Sequence, residues 1–121
     1  MAKGATDGRS RRAPRLATRL SGSLSGKNRF EVEILDLSLT GCLARCPATL
    51  DRGLIMDLAL ELEGEPFSAK VRVADASLDG ESGVEGSRYL VGLEFLALVP
   101  QGERLLLRVL REERRRRRSA T

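Results

Sequence analysis

Between Leu54 and Val73 the chain reads LIMDLALELEGEPFSAKVRV, and its apolar residues recur at every second position. Leu54, Met56, Leu58, Leu60 and Leu62 share one parity. After Glu-Gly-Glu-Pro, Phe67, Ala69, Val71 and Val73 share one again. A period of two suits strands with one buried face, and a helix cannot use it. EGEP supplies the turn, so the smallest unit this stretch can form is a β-hairpin. A lone hairpin is barely stable in water, so the rest of the chain must complete a sheet around it.

The same alternation returns elsewhere. Leu16, Thr18, Leu20, Gly22 and Leu24 share a parity, and Ser25 to Asn28 reads as a turn. Phe30, Val32 and Ile34 then face one way, with Arg29, Glu31 and Glu33 opposite. Leu35 and Leu37 break that parity, which predicts a bulge or burial on both faces. CLARC is a short strand ended by Pro47, and Tyr89, Val91, Leu93 and Phe95 mark a last strand after a Gly/Ser/Glu-rich loop at 77–88. Six short strands separated by turn signals predict an all-β core, a barrel or a sandwich. Beyond Pro100 the period changes. Leu105, Leu106, Val109 and Leu110 make a helical stripe over about 101–114, and the stripe must pack on the sheet.

Composition narrows the function. The chain has 121 residues, a prior for one domain, and with aromatics at 3% its core must be aliphatic. There is no apolar run approaching the roughly 18 residues of a membrane helix. The N-terminus lacks the apolar region of a secretory signal, so a cytoplasmic protein is expected. Histidine is absent, which removes the commonest general base. No nucleophile–base pair can be assembled, so an enzyme is not expected, nor a cofactor. Cys42 and Cys46 have no second pair or histidine to complete a zinc site. They share a strand parity and read as buried thiols.

Charge is distributed unevenly. Residues 1–20 carry six basic and one acidic residue, residues 21–102 seven basic and thirteen acidic, and residues 103–121 eight arginines against three glutamates. An acidic body with two basic ends points to an anionic partner.

Two short stretches stand out against this background. RSRRAPR, Arg9 to Arg15, holds four arginines around Pro14, which keeps Ala13 extended. Guanidinium groups bind phosphate in bidentate fashion, stack on bases and pair with the O6/N7 edge of guanine. DLSLTG, Asp36 to Gly41, places Asp, Ser and Gly in a strand-like region that disfavours all three. Asp36 offers acceptors, Ser38 a hydroxyl, and Gly41 a close backbone approach. Taken singly, the first is a solvated basic tail and the second a polar turn bonded to its own backbone.

Taken together, Arg-x-x-x-Arg at Arg11 and Arg15, followed by Asp-x-Ser-x-x-Gly at Asp36, Ser38 and Gly41, resembles the PilZ domain. YLVGLEF is similar to that family's last barrel strand. The resemblance implies a six-stranded antiparallel β-barrel at about 16–97 with a C-terminal helix, the domain spanning 9–113 between a flexible N-terminus (1–8) and a basic tail (114–121). It also implies a regulatory protein that binds the bacterial second messenger cyclic di-GMP. Arg11 and Arg15 would clasp its phosphates and guanines, with Arg12 as a further phosphate contact, while Asp36, Ser38 and Gly41 would meet guanine. With no evident output domain, signalling would pass through ligand-dependent ordering and an unidentified partner protein. Two alternatives remain at this stage: a PilZ-like interaction domain without nucleotide, and a basic nucleic-acid-binding protein. The acidic body and the lack of stacking aromatics disfavour the latter. The run Arg114–Arg118 reads as a solvated tail that the site does not need.

Overall fold

The alternating runs become strands whose faces fall as their parity predicts. The computed structural model describes residues 16–79 and 88–120. They form β1 (Leu16–Ser25), β2 (Arg29–Leu37), β3 (Gly41–Cys46), β4 (Ile55–Leu62), β5 (Glu65–Leu78), β6 (Tyr89–Leu98) and one helix, α1 (Pro100–Ala120). All pairings are antiparallel, and the sheet closes in the order β1-β2-β3-β6-β5-β4, with β4 returning to β1. Of the two all-β options, the chain takes the barrel.

The interior is filled by one parity of each strand. Leu24, Val32, Ile34, Leu37, Ala44, Met56, Leu58, Leu60, Leu62, Phe67, Ala69, Val71, Val73, Val91 and Leu93 are all buried. Cys42 and Cys46 are buried free thiols among them, and burial pushes the Cys46 pKa up. Leu54 departs from the expected face. It is exposed just before β4 begins, where the chain is still crossing from β3. That crossing is anchored by Gly53 N–H donating to Val73 O at 2.7 Å and by Arg52 Nε donating to Ala74 O at 3.0 Å.

The β4–β5 hairpin turns on Glu63 and Gly64, both with positive φ, as a tight two-residue loop between strands of right-handed twist requires. The parity break at Leu35 is a register shift between Ile34 and Asp36 against β3. It turns Leu37 into the core while leaving Asp36 half-buried. β5 shifts register twice against β6, the second time around Ala74.

α1 begins with Pro100, and Glu103 N–H donates to Val99 O at 3.0 Å. Proline suits a first helical position because its missing N–H is not needed there. Leu105, Leu106 and Val109 are buried in the barrel core, and Gly102 lies against the Phe67 ring, which itself meets Phe95 edge to face at 5.9 Å. The helix continues to Ala120, past the end expected near 114.

Candidate ligand-binding site

DLSLTG is the junction between β2 and β3, and its three conspicuous residues do three different jobs. Asp36 lies one residue before the end of β2, just past the register shift, opposite Ala17 of β1 and Leu43 of β3. Ser38 is fully buried. Its N–H donates to Gly41 O at 2.9 Å, its hydroxyl lies 3.3 Å from the same carbonyl, and its Oγ accepts from Thr40 N at 3.2 Å. Thr40 Oγ1 is 3.1 Å from Ser38 Oγ. The turn is therefore bonded to itself, as the ordinary reading of a polar turn expects. Its hydroxyl acts on the turn's shape, holding Leu39 and Thr40 outward.

Gly41 has a separate reason. A Cβ there would lie 2.0 Å from Leu93 O, so no side chain fits between β3 and β6 at this level. The crowding comes from the neighbouring strand and not from the turn itself. Phe95 N–H donates to Thr40 O at 2.9 Å, which ties the turn to β6 as well.

From Asp36 a row of residues crosses the neighbouring strands. Leu43 stands opposite Gly92 of β6, and Gly92 opposite Asp75 of β5. A Cβ at Gly92 would come within 2.8 Å of Asp75 Oδ1, so that carboxylate reaches over the space the glycine leaves. Leu43 and Gly92 thus form a lane between Asp36 and Asp75, with Ala17 on the other side of Asp36. The sequence reading named neither Leu43, Gly92 nor Asp75. A signal existed for one of them, since a glycine inside the apolar strand YLVGLEF marks a close approach.

One level along, Arg45 of β3 donates to Asp79 at 2.7 Å and to Glu33 at 2.8 Å. The Asp79 bond, with Glu33 behind it, raises the Arg45 pKa above its ordinary value. Arg45 is thus engaged in fastening β2, β3 and the end of β5 together. Among the described residues, no three His, Cys, Asp or Glu side chains are grouped to hold a metal ion. Among the described residues, too, no helix is long and apolar enough to cross a membrane.

Of the predicted site residues, Asp36, Ser38 and Gly41 come together in this one junction. Arg11, Arg12 and Arg15 lie outside the described residues. What is described is where the chain joins the barrel. Leu16 stands opposite Leu37, and Ala17 opposite Asp36.

A family model described as the PilZ domain matches residues 9–112. No curated protein matches the sequence. Among solved structures, the PilZ domain of YcgR from Escherichia coli with c-di-GMP is similar, with a TM-score of 0.69 at 20% identity over 90% of this chain and 95% of that one. The inhibitor of motility MotI/DgrA of Bacillus subtilis gives 0.69 at 13% identity, over 84% of this chain and 49% of that one. The K. pneumonia MrkH–c-di-GMP complex gives 0.68 at 17% identity, over 91% and 55%. This chain thus spans about half the length of the MotI/DgrA and MrkH chains. With the match running over residues 9–112 and the same barrel recurring in these structures, the chain belongs to the PilZ domain family.

Proposed function

We propose that the chain is a cyclic di-GMP receptor, a regulatory protein without catalytic activity that acts in the cytoplasm. One observation carries the reading furthest. The described chain starts at Leu16, opposite Leu37, so the polypeptide that directly follows Arg15 runs alongside DLSLTG. The residue that follows the first motif thus stands beside the second, though twenty residues separate Arg15 from Asp36 in sequence. Support also comes from the relatives, since the YcgR domain and MrkH were both solved with c-di-GMP.

The chemistry divides accordingly. Asp36 accepts from the N1–H and N2–H₂ edge of a guanine, whose base lies beside Leu43. Arg11 and Arg15 take phosphate oxygens and the guanine O6/N7 edge, with Arg12 adding a phosphate contact. Ser38 and Gly41 keep the turn in the shape that presents Asp36. Binding draws the arginine segment onto the barrel, and a partner protein reads the surface so formed.

Calorimetric titration with cyclic di-GMP tests this directly. A charge-assisted hydrogen bond contributes about 1.5–3 kcal/mol, so Arg15→Ala is expected to weaken binding at least ~tenfold with the fold intact. Wild-type affinity in that variant would remove the arginine clasp. No binding by the native chain would leave a PilZ barrel that works as an interaction domain.

A further inference from the structure

The second half of α1 runs beside the motif turn. Leu39 of DLSLTG and Leu107, Leu110, Arg111 and Arg114 of α1 together line a groove of about 130 Å³. Three features separate it from an ordinary solvated helix face. Its floor is leucine, and Leu39 is one of the few large apolar side chains left exposed. Its rim is two arginines three residues apart, hence on one side of the helix.

The third feature is how uncommitted those arginines are. Arg108 donates to Glu65 at 2.8 Å, Arg116 pairs with Glu113 at 3.1 Å, and Arg45 is held by Asp79 and Glu33. Arg111 and Arg114 form no ion pair or side-chain hydrogen bond with the described residues. Leu39 meanwhile has little freedom to close the gap. It sits between Ser38, bonded to Gly41 O, and Thr40, whose carbonyl is held by Phe95 N–H.

We infer that this groove is part of the nucleotide site, with Arg111 and Arg114 binding a phosphodiester of the ligand and its base resting on the leucine floor. The inference rests on the nucleotide reading above. The chemistry fits on both counts. A cyclic dinucleotide is a dianion with flat faces; guanidinium groups pair with phosphate and stack on base planes, and a leucine floor favours an unhydrated base over water. Position fits as well. The start of β1, the DLSLTG turn and the second half of α1 lie at the same end of the barrel, so a ligand held by the first two is within reach of the third. The helix then becomes a wall of the site, and part of the Arg114–Arg118 run acts in binding.

The test is calorimetry with cyclic di-GMP on the full chain, comparing native protein, the double variant Arg111→Gln/Arg114→Gln, and Arg116→Gln. All three positions are exposed, and circular dichroism verifies the fold. The double variant is expected to bind about tenfold more weakly, as the loss of one charge-assisted contact would give, and Arg116→Gln to match the native chain. Equal affinity in all three overturns the inference while leaving the cyclic di-GMP reading in place. Equal weakening by Arg116→Gln also overturns it, because the effect would then be the general field of the helix. Loss of binding to a DNA duplex by the double variant, with cyclic di-GMP affinity unchanged, assigns the groove to nucleic acid instead. A native chain that binds no cyclic di-GMP refutes the function itself, and the groove assignment falls with it.

Discussion

A methyl group at position 41 would meet the Leu93 carbonyl oxygen, a backbone atom with no rotamer to change. Gly41→Ala should therefore push β3 from β6 at the level of the motif. Overpacking of this kind costs about 1–3 kcal/mol, to be read as a lower urea midpoint. Gly26→Ala is the contrast: its added carbon would meet only the flexible end of Met56 at 3.4 Å, and the midpoint should barely move. Ser38→Ala leaves Thr40 N–H without its side-chain acceptor. The expected loss is about 1 kcal/mol or somewhat more. If Ser38 acts by shaping the turn, nucleotide affinity should fall too, and Ser38→Thr should recover less of it than a mere need for a hydroxyl would predict. Cys42 and Cys46 make a separate test of burial. Their thiols should react with a disulfide reagent slowly in the folded protein and fully in denaturant, because burial shields both and raises the Cys46 pKa, which lowers its thiolate fraction.

At the scale of the element, α1 divides into a packed half and a projecting half. Leu106 has no exposed surface, and its replacement by alanine should cost about 2–5 kcal/mol in a denaturation experiment. Truncation after Glu113 removes none of the buried residues Leu105, Leu106 and Val109, so the melting temperature should hold. Nucleotide affinity is a different matter, since that truncation also removes Arg114 from the groove. The strands were the most legible elements. Period-two alternation gave each inward face correctly, and the broken parity at Leu35 and Leu37 marked the register shift. Leu54 misled because parity reports a face only inside a strand, and β4 starts one residue later. Less was legible at the site. Asp36, Ser38 and Gly41 were visible as odd residues in a strand context. The lane through Leu43, Gly92 and Asp75 was not, because it depends on β6 lying between β3 and β5, a pairing of strands distant in sequence. The approach of Arg111 and Arg114 to Leu39 is likewise a tertiary fact with no local pattern behind it.

For the whole molecule, charge and topology act together. The acidic central body carries basic segments at both ends of the sequence, and the fold sets the start of β1 and the second half of α1 next to the motif turn. Under the proposed function, a dianionic ligand at that turn would neutralise charge on both. Amide exchange should accordingly slow at residues 9–15 on adding cyclic di-GMP, with a smaller slowing at the turn. Unchanged exchange at residues 9–15 in a saturated complex would show that the arginine segment does not fold onto the barrel. The closed ring of strands has one more implication. An open sheet can recruit a partner by accepting its peptide as another strand, a mode in which backbone atoms supply most of the grip. Here β4 already pairs with β1 over Gly22–Ser25, so along that stretch the described sheet has no vacant edge to lend. Under the proposed function, a partner meeting the barrel there would grip side chains, the β2–β3 turn or the helix, and its recognition would be written in sequence-specific surface chemistry that point mutations can erase.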